Sequence, residues 1–164
     1  MAKIFDFISK KAEREMGKTT IFEVAKAFLS LEAMTHKKLQ KLCYYAYSWH
    51  LTLQGERLFR NNFEAWIHGP VDPGLYSEYK HFGWQTIPQE DQSPIEGELM
   101  EFIQEVYDSY GHLDGDELEF LTHKEDPWME ARGSIPEYVP CNNRIKDEVI
   151  KDYYLKELEN GQIE

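Results

Sequence analysis

The sequence predicts a mainly α-helical, compact domain with a small β element. Three observations carry that expectation. Apolar residues recur at helical spacing behind recognisable caps along most of the chain. The run from His36 to Leu53 is apolar on more than one side, as a central helix buried on several faces must be. A period of two appears over Phe63–Ile67, where Phe63, Ala65 and Ile67 alternate with Glu64, Trp66 and His68. With 164 residues, 41% of them hydrophobic, the chain is read as one globular domain over 1–164.

The elements follow in order. Ile4, Phe5, Ile8 and Ala12 share one side of a short helix or arm over residues 1–17, closed at Gly17. Thr20 and Glu23 have capping-box spacing, and Ile21, Val24, Ala25, Phe28 and Leu31 form the stripe behind them. Thr35 caps the central helix, Gly55 closes it, and Lys37, Lys38 and Lys41 mark its wetter end. The strand near 63–67 stops at Gly69–Pro70. Its partner is either Thr86–Ile87, near 85–87, or Tyr138–Val139, near 137–139. Asp72–Pro73 opens the next helix, with Leu75, Tyr76, Tyr79 and Phe82 inward and Gly83 as its stop. Ser93-Pro94-Ile95-Glu96 starts another, with Ile95, Leu99, Phe102, Ile103, Val106 and Tyr110 as its stripe. Asp114 with Glu117, and Asp126 with Pro127, start two shorter helices, the second anchored by Trp128 and Met129. Asn142 or Asn143 caps a C-terminal helix over 142–159, carrying Ile145, Val149, Tyr153 and Leu158.

Charge bounds the function. The net charge of -12 argues against nonspecific nucleic-acid binding, and nucleic acid is not expected as a partner. Residues 1–60 hold 11 Lys/Arg against 6 Asp/Glu, a net of +5, while 61–164 hold 7 against 24, a net of -17. Such an acidic half is either a solvated face or a footprint for a basic partner. No run is long and apolar enough for a membrane span, and the N-terminus lacks the pattern of a secretory signal. A cytoplasmic protein without a membrane partner is expected.

The sequence holds little that points to catalytic chemistry. No phosphate-binding glycine loop, HExxH, GxSxG or paired CxxC is present, and no histidine pair has ligand spacing, so no metal or cofactor is expected. Cys43 sits in an apolar helical pattern and reads as a small hydrophobe. A nucleophile reading joins Cys141 with His68 or His123 and Asp126, but nothing in the sequence makes these converge. The chain is read as no enzyme.

Three stretches carry a family resemblance. Leu39-Gln40-Lys41-Leu42-Cys43-Tyr44-Tyr45-Ala46-Tyr47-Ser48-Trp49 resembles the run LQKLLYYAQGW of the Panacea domain family, the SocA-like antitoxins and phage-associated GepA-like proteins. Phe63-Glu64-Ala65-Trp66-Ile67-His68-Gly69-Pro70-Val71, continued by Leu75-Tyr76, is similar to the second. Leu121-Thr122-His123-Lys124-Glu125-Asp126-Pro127-Trp128 resembles the family's LTHxExPW. The matching core spans 20–132. Cys43 stands where the family more often has Leu.

The resemblance implies an antitoxin of a bacterial or prophage toxin–antitoxin pair, which binds its nearby-encoded toxin directly, with no cofactor and no catalysis. One branch implies instead an adaptor that delivers a partner to the ClpXP protease, and so a protease unfoldase as a further partner. A third reading is a mobile-element interaction protein with no toxin. Leu39, Lys41, Leu42, Tyr44, Tyr45, Trp66, Gly69, Pro70, Val71, Tyr76, Thr122, His123, Pro127 and Trp128 match the family motifs and are expected to define the shared fold. Partner contacts are expected on exposed acidic positions: Glu98, Glu101, Glu105, Asp108, Asp116 and Glu119.

Overall fold

The computed structural model describes residues 19–60 and 62–163. The arm or helix expected over 1–17 lies outside them. The described residues are mainly helical, as expected, with a single two-stranded sheet among them. In chain order, α1 is Ile21–Leu31, α2 is His36–Gln54, β1 is Glu64–Trp66 and β2 is Gly69–Val71. Then come α3 at Pro73–Tyr79, continued by a 3-10 turn over Lys80–Phe82, α4 at Gly97–Tyr110, α5 at Gly115–Thr122, α6 at Asp126–Arg132 and α7 at Asp147–Ile163.

The whole assembly is arranged around α2. Every residue from Lys38 to Leu51 is buried, because α1, α3, α4, α5, α7 and β2 all pack on it. Thr35 accepts from the Lys38 backbone at its start, and Gly55, with φ of 73°, closes it in the left-handed region that glycine adopts without strain. The capping boxes of Thr20 with Glu23 and Asp114 with Glu117 are both formed.

Several expectations are corrected. The lysines do not mark a wet end: Lys38 and Lys41 are buried. Lys38 Nζ donates to the Gly111 carbonyl at 2.7 Å and to Glu32 Oε2 at 2.9 Å, so the cation sits at the end of α4, where the helix dipole favours it. Gly69–Pro70 does not end the strand element; it begins the return strand. β1 and β2 form an antiparallel hairpin pairing Glu64 with Val71, Ala65 with Pro70 and Trp66 with Gly69. Neither expected partner is used. Ile87 bridges to Met34, and the outer edge of β1 is covered by residues 143–145, with Ala65 N donating to Asn143 O and Ile145 N to Phe63 O, both at 2.9 Å.

Helix starts also shift. α4 begins at Gly97 rather than at Ser93, whose hydroxyl accepts from Ile95 N in a local turn. Asp126 is the first helical residue of α6, not its cap, and Glu125 holds the cap position. Trp128 is buried but Met129 is exposed. α7 starts at Asp147, beyond either asparagine; Ile145 and Leu158 are buried as expected, but between them Ile150 and Tyr154 face the core in place of Val149 and Tyr153. Asn143 Nδ2 donates instead to Ala131 O at 3.0 Å.

Candidate functional site

The motif residues from all three stretches meet at the β1–β2 hairpin. Pro70 is tolerated in its strand because Ala65, opposite, turns its backbone groups away from β2. Its N–H goes to Asn143 and its carbonyl accepts from Arg132 Nη1 at 2.8 Å, so no ladder donor is needed from Pro70. From below, α2 grips the exit of β2. Gln40 exchanges two hydrogen bonds with the Asp72 backbone, each 3.0 Å, and Lys41 Nζ donates to Pro70 O at 3.2 Å. Asp72 in turn accepts from Leu75 N at 2.8 Å and starts α3.

Gly69 explains why the contact is so close. Its φ is 109°, and a Cβ there would lie 2.5 Å from Lys41 Cε and 2.9 Å from Thr122 Oγ1. Thr122 is buried, its hydroxyl donating to Glu119 O at 2.9 Å. Trp128 Nε1 donates to Trp66 O at 2.7 Å, and Trp66 Nε1 to Glu64 Oε1 at 2.8 Å, so both indole N–H groups are satisfied. His123 stacks on Trp128 with ring centroids 3.9 Å apart, and its backbone partner is Ile67, in the hairpin turn. Arg132 lies 4.9 Å over the Trp128 ring, and its Nη2 donates to Pro136 O at 2.7 Å and to Val139 O. One buried guanidinium therefore ties α6, β1 and the 133–141 loop together.

Two buried ionisable groups stand out. Lys41 is 1% exposed, and burial pushes its ammonium down to about 7, with Glu119 opposing and Lys37 adding to that shift. Glu125 is pushed up to about 7 by burial, against the hydrogen bonds it accepts from Tyr154 at 2.8 Å and Tyr45 at 2.9 Å. Those phenols belong to an aromatic cluster in which Tyr45 stacks on Tyr110 at 4.0 Å and Trp49 Nε1 donates to Tyr110 OH at 2.8 Å.

The remaining motif positions fall in the same scaffold. Leu39, Leu42, Tyr44 and Tyr45 are core, Val71 and Pro127 are buried, and Tyr76 packs edge-on against Trp66 at 5.0 Å. Gln40, Glu125, Arg132 and Tyr154 serve the same structure and were not singled out in the sequence. For Gln40 and Glu125 the available signal is a polar residue inside a motif run, since such a residue needs a specific partner once the run is buried; Tyr154 lies outside the motifs and carries no such signal.

The acidic positions divide. Glu98, Glu101, Glu105 and Asp108 lie along α4, with Glu101 and Asp108 exposed. Asp116 and Glu119 lie on α5 and are both joined to Lys37 Nζ, at 2.8 and 2.7 Å. Glu119 also meets His68 Nδ1 at 3.1 Å, which fastens the hairpin tip to α5. Burial alone would lower the Lys37 ammonium, but Asp116 and Glu119 outweigh it and the net shift is upward. Burial would raise Glu119, but Lys37 and His68 bring it down. Asp116 is lowered by its bond from Lys37.

Cys141 and His68 do line one cleft of about 620 Å³ with Trp66, Ile67 and Pro140. His68 turns Nδ1 to Glu119, whereas Cys141 Sγ accepts from Asn143 N at 3.4 Å. His123 is held against Trp128 instead. Among the described residues no cluster of His, Cys, Asp and Glu is arranged to hold a metal ion, and no helix is long and apolar enough to cross a membrane.

Comparison with known proteins matches residues 39–129 to the family described as antitoxin SocA-like, Panacea domain. The chain is also 29% identical over 135 residues to Antitoxin SocA of Caulobacter vibrioides (strain NA1000 / CB15N), an alignment covering 71% of this chain and 69% of the relative. No solved structure gives a significant match.

Proposed function

Because the chain belongs to the antitoxin SocA-like, Panacea domain family, we propose that it is the antitoxin of a bacterial or prophage toxin–antitoxin pair and neutralises its toxin by direct protein–protein binding. The observation that supports binding over catalysis is how the motif side chains are spent. Gln40, Lys41, Thr122, Trp66 and Trp128 all point their polar atoms at backbone or side chains of the same scaffold. The motifs thus hold a platform, and partner choice falls to the exposed surface. The toxin is the product of a neighbouring gene, the complex forms in the cytoplasm, and the chain performs no catalysis.

The test is co-expression with the adjacent open reading frame. Rescue of growth together with a co-purifying complex is expected. No rescue and no complex sinks the reading and leaves the mobile-element alternative. If the partner's half-life depends on both this protein and ClpXP, neutralisation proceeds by adaptor delivery instead. Charge reversal at Glu101, Glu105 and Asp108 asks a narrower question: unchanged binding and unchanged salt dependence would remove α4 from the contact surface.

A further inference from the structure

α5 turns Leu118 into the core and leaves Phe120 facing water, 64% exposed. The Phe120 ring forms one wall of a cleft of about 410 Å³, whose other lining residues are Leu113, Asp116, Glu117, Leu121 and Lys124. Apolar side chains line its interior, and two carboxylates stand among them. Nearby, Trp84 is 74% exposed, stacked on His36 with centroids 6.4 Å apart. Lys37 joins the two aromatics. Its Nζ lies 5.5 Å from the Trp84 ring and 2.8 Å from Asp116 Oδ1, and Asp116 precedes Phe120 by one helical turn. Large aromatics exposed together beside fixed charges are the composition of an interface centre and its polar rim, not of idle surface.

We propose that this α5–Trp84 face is the docking surface for a basic amphipathic segment of the protein partner. An apolar side chain enters the Phe120 cleft, and Lys or Arg side chains meet Asp116 and Glu117. Charge selects this occupant. Lys37 is already matched by Asp116 and Glu119, and Lys124 Nζ lies 3.9 Å over the Phe120 ring, so the carboxylates of α5 outnumber the cations available to them. Residues 61–164, which contain α5, carry a net of -17. A second copy of a chain with net charge -12 would be repelled, and so would an acidic peptide. The inference deepens the antitoxin reading and rests on it for the identity of the partner.

Two measurements keep the surface and the function separable. In the first, calorimetry compares an amphipathic Leu/Lys peptide of about 14 residues, two heptads, with its Leu/Glu counterpart. Binding of the Leu/Lys peptide alone is expected, weakened by added salt, and weakened about tenfold by Phe120→Ser or Asp116→Lys. Tyr138→Ser, at an exposed loop residue lining neither the cleft nor the Trp84 stack, should leave it unchanged. Equal binding of the two peptides, no binding of Leu/Lys, or indifference to Phe120→Ser overturns the proposal, with circular dichroism confirming that each variant is folded. The second measurement repeats co-purification with the neighbouring gene's product. Capture by wild type that survives intact in Phe120→Ser and Asp116→Lys overturns the docking surface while the antitoxin reading stands. Failure of wild type to capture it overturns the antitoxin reading, and the peptide titration then decides the surface alone.

Discussion

Gly69, Lys41 and Glu125 are the residues at which single atoms decide the structure. At Gly69 an added methyl group meets Lys41 Cε at 2.5 Å and must also adopt a φ of 109°. Gly69→Ala should therefore cost at least ~2 kcal/mol of unfolding free energy in urea, and a cost under ~0.5 kcal/mol would show that the hairpin gives way freely. Lys41 and Glu125 predict opposite pH dependences. The Glu125 carboxyl is raised in the folded state, so its stabilising contribution is full below the unfolded value of 4.5 and is lost as pH rises through about 7. Glu125→Gln should remove a decline on the order of a few kcal/mol between pH 5 and 8, read from melts at both ends. Lys41 is depressed in the folded state, so its contribution is full above 10.5 and is lost as pH falls through about 7. Lys41→Met should abolish the rise in stability between pH 7 and 10, and a variant that keeps that rise assigns it elsewhere.

At the scale of elements, Arg132 is the joint of the hairpin side. Its guanidinium reaches the Ala65, Pro136 and Val139 carbonyls at once. Arg132→Leu should raise amide exchange across residues 133–141 and β1 by at least about tenfold while α1 and α4 keep their protection, whereas uniform loss would mean global unfolding. The elements also show what was legible in advance. Thr20, Asp114 and Asp72 announce their helices because a cap works through residues three apart. The hairpin was half legible. Period two reveals β1, but Gly69–Pro70 looks like a stop signal, and only the outward turn of the Ala65 backbone lets proline stand in a strand. Lys41 reads as exposed beside Lys37, one helical turn away, because its burial comes from a hairpin nearly thirty positions later, which no local pattern contains. The motif side chains were legible through resemblance and the acidic helices through charge. Phe120 and Trp84 are not legible as sites, since an exposed aromatic and a buried one look alike in sequence.

Across the whole molecule, the two halves differ in sign, with +5 over residues 1–60 and -17 over 61–164. If the acidic part meets a basic partner, the association rate should fall as salt is raised from about 0.05 to 0.5 M while dissociation changes little, because screening acts on the approach. A rate indifferent to salt in stopped-flow measurements would assign recognition to shape and apolar contact. The pH windows of Glu125 and Lys41 meet near 7, so Glu125→Gln should show its full gain over wild type from about pH 7 upward, Lys41→Met from about pH 7 downward, and the double variant its largest gain near neutrality. α2 has a further consequence, which concerns synthesis. Its tyrosine face is covered partly by Tyr154 of α7, more than a hundred positions downstream. A ribosome that has just finished α4 has made the whole central helix and none of that cover, and needs roughly 2–10 s to supply it at ordinary elongation rates. A chain cut short before Asp147 keeps all three motif stretches but presents Tyr44 and Trp49 to whatever surveys nascent protein, so only translation through α7 yields a molecule that can hide its own centre.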